Sequence, residues 1–246
     1  MRSARRTVAA VMAASLALVL AGCASLPQAP QALPSTFIPH VTPSAGAHAD
    51  LVGGFSALER DALRVRVRTC EIYGTGSAFA IDKTHAITNR HVAEGATDIW
   101  LTGFDGTVYE GKAVRLSRHA DLALVTIKGK FPNISTLADA EPDSPTALSV
   151  AGYPRGGELT VESGPYVGKV PDELKNNKEL VYEIRVESHP GNSGSAVVNP
   201  DGDVVGVLFA SDDHHSSWAV ALPELKDFID HPAKAIKNRA DCDAQG

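Results

Sequence analysis

Ten short β-branched or apolar runs follow one another between residues 64 and 222, separated by segments that contain Gly, Asp, Asn and Pro. They are "RVRVRT" (64–69), "SAFAI" (77–81), "HAIT" (85–88), "DIWL" (98–101), "DLALVTI" (121–127), "TALSVAGY" (146–153), "LVYEIRV" (180–186), "SAVVN" (195–199), "DVVGVLFA" (203–210) and "SWAVAL" (217–222). Their length and alternation are those of strands, and the turn residues between them interrupt any helical period. A chain of many short strands buries its apolar faces as a sandwich or as closed barrels. Only "LPELKDFIDH" (222–231) carries helical spacing, through Leu222, Leu225, Phe228 and Ile229. The expected class is therefore all-β with one short C-terminal helix.

The N-terminus constrains location. Arg2, Arg5 and Arg6 precede an apolar stretch from Val8 to Ala21, followed by Leu20-Ala21-Gly22-Cys23. The stretch is shorter than the roughly 18 residues of a membrane-spanning helix and reads as an export signal. The last four residues resemble the bacterial lipobox, which implies a signal peptide over residues 1–22 and a lipid on Cys23; an ordinary cleaved signal with an incidental cysteine is the alternative. Residues 23–50 are rich in Pro, Ala and Ser and lack periodicity, as in a disordered tether. Residues 51–246 then form the folded domain, held to the outer face of a membrane by acyl chains. Losing three of the 23 basic residues with the signal leaves 20 against 29 acidic ones, a net charge of −9, which argues against a nucleic-acid partner. Cys70 and Cys242 remain, and an oxidising compartment allows them to pair; two buried free thiols are the alternative.

Acyl transfer needs a nucleophile, a base and a group that orients the base. His91 in "AITNRHV" ends a strand, Asp121 in "RHADLALV" heads a buried one, and Ser193 in "HPGNSGSAVV" sits between glycines before another. Each residue alone has a bland explanation as a surface histidine, a turn cap or a turn serine. Together they stand in the order His, Asp, Ser, which differs from that of α/β-hydrolases and subtilisins. The tetrahedral intermediate also needs two backbone N–H donors, for which Gly191 and Ser193 are the candidates, Gly191 having no β-carbon to obstruct substrate.

Three segments, "GTGSAFAIDKTHAITNRHVAEG", "HADLALVTI" and "GNSGSAVV", resemble those around the catalytic residues of trypsin-like serine proteases of the bacterial HtrA and MarP type. "AGYPRGG" (151–157) and "GDVVGVLFA" (202–210) resemble two further strands of that family. The resemblance implies two six-stranded antiparallel β-barrels, with His91 as general base, Asp121 as its partner and Ser193 as nucleophile. It also favours a disulfide between Cys70 and Cys242. In this fold the residues six and five before the nucleophile, Glu187 and Ser188, are expected to floor the substrate pocket, and Trp218, Ala219, Val220 and Ala221 to wall it. An acidic floor suits a basic substrate residue, whereas HtrA-like relatives often take small aliphatic ones. Two positions depart from family patterns. Asn192 replaces the aspartate that in animal trypsins binds a newly cut N-terminus, and Ser195 replaces the second glycine of the common Ser-Gly-Gly.

The expected function is a lipid-anchored serine endopeptidase acting on proteins or peptides outside the cytoplasmic membrane. The mechanism needs no cofactor and no metal; His214 and His215 in a polar loop read as solvated. A catalytically silent or latent domain acting as a protein-binding module is the competing reading, and an esterase-like hydrolase a third. After the helix too little chain remains for a PDZ module, so a monomer is expected. Residues 154–178 read as a polar loop long enough to rearrange.

Overall fold

A computed structural model describes residues 53–212, 215–240 and 242. The signal peptide, Cys23, the tether and His214 lie outside these residues. A one-turn helix, α1 (Ala57–Asp61), opens the domain; its Ser56 cap accepts from the Glu59 N–H while the Glu59 carboxylate takes the Ser56 N–H.

The first barrel is built from β1 (Ala62–Arg68), β2 (Tyr73–Ala80), β3 (His85–Thr88), β4 (Asp98–Thr102), β5 (Val108–Leu116) and β6 (Ala123–Ile127), all antiparallel. Pairing of β5 with β6 closes it. Val65, Leu101, Val125, Tyr109 and Phe131 fill the interior. The second barrel uses β7 (Ala147–Gly152), β8 (Thr160–Val170), β9 (Val181–Ile184), β10 (Ala196–Val198), β11 (Val204–Ser211) and β12 (Ser217–Ala221), closed by β10 against β7. Its interior holds Leu148, Tyr182, Ile184 and Leu208. The fold is thus the expected pair of six-stranded antiparallel barrels, and β13 (Ile236–Lys237) adds to the outer edge of β5.

Closure removes the exposed edges that open sheets must otherwise protect. It also makes some strands apolar on both faces, since a third core joins the barrels. Phe79, Ile87 and Leu122 of the first barrel meet Val198, Val207 and Val220 of the second. Leu225 and Phe228 of α3 (Leu222–Asp230) pack into the same cluster, as the helical spacing predicts.

Two strands escape the sequence pattern for a physical reason. In β5 the register shifts between Gly111 and Ala113, and in β8 between Tyr166 and Gly168. A bulge adds a residue and breaks strict alternation, and both strands are largely exposed. The segment expected to be a long loop over 154–178 contains β8, which takes 11 of its residues. Cys70 and Cys242 are joined by a disulfide across a Cα–Cα distance of 5.3 Å.

Candidate active site

His91 lies on a single helical turn, α2 (Arg90–Ala93), directly after β3. Asp121 is buried at the head of β6, only 3% exposed. The Asp121 carboxylate takes the backbone N–H of His91 on Oδ1 at 2.9 Å and meets Nδ1 with Oδ2 at 2.5 Å. A carboxylate only accepts, so Nδ1 carries a proton, and in the neutral ring Nε2 keeps the lone pair. The aspartate is itself fixed through its backbone: Asn89 Nδ2 donates to its carbonyl at 2.8 Å, and its N–H donates to Asn177 Oδ1 at 2.8 Å. Asn177 is anchored in turn by Asp172, whose Oδ2 accepts both the Asn177 N–H and Nδ2. None of these three supporting residues was singled out in the sequence, where only their polarity sets them apart.

Ser193 comes from the second barrel, in the turn that enters β10. The turn is held by Asn192 N–H to the His189 carbonyl, Ser195 N–H to the Asn192 carbonyl and Gly194 N–H to the Leu208 carbonyl. Gly191 and Gly194 adopt φ of +102° and +92°, where a β-carbon is strained. A β-carbon on Gly191 would also lie 2.5 Å from the Tyr153 carbonyl and 2.6 Å from the Arg155 N–H nitrogen. The two barrels meet at Gly76 of β2, where a β-carbon would touch Val92, next to His91, at 2.8 Å and the Ser193 carbonyl at 3.1 Å.

The backbone N–H groups of Gly191 and Ser193 have no acceptor among the described residues. The Pro190 carbonyl is turned onto the Arg155 N–H at 2.5 Å, and a trans peptide then directs the Gly191 N–H the opposite way. Ser193 Oγ and His91 Nε2 likewise have no hydrogen-bond partner among the described residues. Such a contact is often long in a free enzyme and tightens on substrate. Asn192 is buried, and its Oδ1 and the Ser195 hydroxyl have no partner among the described residues.

A cavity of about 240 Å³ opens beside Ser193, lined by Ser188, His189, Pro190, Leu208, Phe209, Ala210 and Ser211. Of the expected pocket residues only Ser188 lies on it. Glu187 is exposed, turns toward His189 Nε2 at 3.4 Å and is not among the residues that line the cavity. Ala219, Val220 and Ala221 are buried within the barrel. Trp218 lines a neighbouring cavity of about 500 Å³, which shares Phe209, Ala210 and Ser211 with the first. The wall comes from β11 because β11 pairs with β10, which leaves the Ser193 turn, and its Leu208 carbonyl holds the Gly194 N–H, while β12 lies one strand further round. Uncharged hydroxyls close the floor: Ser188 Oγ meets Ser217 Oγ at 2.8 Å, and Ser211 Oγ donates to the Ser188 carbonyl at 2.7 Å.

Residues 75–207 match the family model described as a trypsin-like peptidase domain. The chain belongs to that family. This trypsin-like domain is 31% identical over 156 residues to a putative serine protease, HhoB, of Synechocystis, covering 61% of this chain and 38% of that protein. It is 30% identical over 160 residues to the periplasmic serine endoprotease DegP of Escherichia coli, covering 61% of this chain and 33% of the relative. The chain therefore spans only about a third of the length of such relatives. The crystal structure of the Rv3671c protease from Mycobacterium tuberculosis in its active form shares the fold, with a TM-score of 0.64 at 23% identity over 74% of this chain and 84% of that one.

Proposed function

We propose that the chain is a serine endopeptidase that cleaves proteins or peptides through an acyl-enzyme. The observation that carries this reading is the His91 ring, pinned through Nδ1 to a buried carboxylate with Nε2 left open. His91 takes the Ser193 proton as Oγ attacks the substrate carbonyl, and Asp121 stabilises the resulting imidazolium. Negative charge on the former carbonyl oxygen is met by the N–H groups of Gly191 and Ser193. His91 then returns the proton to the leaving amine, and water releases the acyl group by the same steps.

The cavity beside Ser193 supports a small, uncharged residue before the scissile bond, because Ser188 and Ser211 line it and Glu187, the one carboxylate expected there, does not. The Val8–Ala21 export segment and the disulfide support an extracytoplasmic location, and the lipobox-like Leu20–Cys23 supports lipid anchoring through Cys23. The test is to digest unfolded casein and map the new termini by mass spectrometry. Cuts after small uncharged residues that vanish in Ser193→Ala and His91→Ala fit the proposal. Cuts after Arg or Lys would refute the pocket assignment, and cuts persisting in both variants would refute the mechanism.

A further inference from the structure

Ser77 is fully buried in β2 of the first barrel, yet its polar atoms reach across to the nucleophile turn of the second. Its backbone N–H donates to the Ser193 carbonyl at 2.7 Å. Its hydroxyl donates to the Gly191 carbonyl at 2.8 Å and accepts the Tyr153 N–H at 3.0 Å. The hydroxyl's orientation is fixed, since a carbonyl can only accept and an N–H can only donate, and it has one proton to give. Its own carbonyl is held in turn by the Thr88 hydroxyl at 2.7 Å. One residue therefore grips both residues that carry the proposed oxyanion donors, and ties them to Tyr153 at the head of the turn that also holds the Pro190 carbonyl. That turn is fastened to the first barrel a second time by Arg64, which stacks over the Tyr153 ring at 4.7 Å and donates to the Gly157 carbonyl.

We propose that Ser77 is a positioning residue for transition-state stabilisation: its hydroxyl, bonded at once to the Gly191 carbonyl and the Tyr153 N–H, holds from the far barrel the two segments between which the Gly191 N–H is aimed. Gly191 has a positive φ and no side chain to brace it, so the peptide planes on either side are held by their hydrogen bonds: the Pro190 carbonyl by the Arg155 N–H, and the Gly191 carbonyl by the Ser77 hydroxyl, which also fixes Tyr153 at the head of the turn that carries Arg155. Because the hydroxyl is buried beneath the turn and lines no part of the cavity, its loss acts on the developing oxyanion and leaves ground-state binding alone. The inference rests on the reading of Gly191 and Ser193 as oxyanion donors.

The test compares a peptide aldehyde with the alcohol of the same sequence, taken from the fluorogenic peptide that the mature protein cuts fastest. With the aldehyde, the Ser193 Oγ–C bond forms, the carbonyl electron pair moves to oxygen and the hydroxyl proton passes to His91. The alcohol makes the same side-chain contacts without the oxyanion. Wild type should favour the aldehyde, and Ser193→Ala should abolish that preference. Ser77→Ala should lower the preference and kcat together by at least about tenfold, with alcohol affinity and KM within about threefold. Ser77→Cys, which keeps the bulk but donates weakly, should behave alike and decides the matter if the alanine variant does not fold. An unchanged aldehyde preference in the folded variant would overturn the role of Ser77. Equal binding of both ligands by wild type would remove the oxyanion reading itself, and this inference with it.

Discussion

Replacing Asp121 with asparagine turns one of its two acceptor atoms into a donor without changing the side chain's shape. The native carboxylate accepts from two donors, the His91 backbone N–H at Oδ1 and the ring Nδ1–H at Oδ2. An amide offers one acceptor and one NH2. If the amide oxygen keeps the backbone N–H, the NH2 faces Nδ1, which must then accept. The ring proton moves to Nε2, and the base can no longer take a proton from Ser193. The opposite flip sets NH2 against a backbone N–H at a site only 3% exposed, leaving buried donors unpaired at a cost of about 1–3 kcal/mol each. The first arrangement therefore prevails, and the expected loss in kcat is on the order of 10⁴-fold, or about 5.5 kcal/mol at about 1.4 kcal/mol per factor of ten. KM should stay within about threefold, because Asp121 does not line the cavity beside Ser193. The assay is steady-state hydrolysis of a fluorogenic peptide by wild type and Asp121→Asn, with melting curves to show that both are folded. A loss of less than about tenfold would refute the role given to the His91–Asp121 pair.

Reduction of Cys70–Cys242, which closes a loop with a sequence separation of 172, should destabilise the domain by about 5 kcal/mol on the chain-entropy estimate. That corresponds to a fall in Tm of about 10–20 °C, and a scanning-fluorimetry shift below about 3 °C with reductant would contradict it. Gly194→Ala puts a β-carbon at positive φ against the Ser77 carbonyl and the Thr88 hydroxyl. It should cost about 2 kcal/mol or more in stability and abolish turnover, and an active variant of unchanged Tm would count against that geometry. Burial, reinforced by the bond to Glu141 at 2.7 Å, pushes the Tyr182 phenol well above its ordinary value of 10.0. The folded chain thus holds a proton that the unfolded chain releases, so this stabilisation is complete below about pH 10 and is lost as pH rises beyond it. Tm should fall more steeply from pH 9 to pH 11 in wild type than in Tyr182→Phe, and parallel slopes would contradict the linkage.

Ten of the thirteen strands among the described residues announced themselves because a closed barrel enforces inside–outside alternation, and the strands between the barrels read as continuous apolar runs. Bulged β5 and β8 did not: β11 is bulged too, but it is buried and reads as an apolar run, whereas β5 and β8 are largely exposed and carry no apolar run to mark them. His91, Asp121 and Ser193 stood out because acyl chemistry requires those residue types among glycines and strand ends. Their supports were silent: Ser77, Asn89 and Asn177 are ordinary polar residues whose importance lies in contacts 32 to 114 positions away in the chain. The cavity lining was hidden for the same reason: which way the exposed Glu187 carboxylate turns depends on its neighbour His189, and which strand lies beside Ser193 depends on barrel order.

The most direct test of the account is intact-mass labelling of the purified, disulfide-bonded protein with a fluorophosphonate, which phosphonylates an activated serine. The account predicts addition of a single label, mapped to Ser193 and lost in both Ser193→Ala and His91→Ala. A folded protein that takes no label, or takes it equally well without His91, would contradict it.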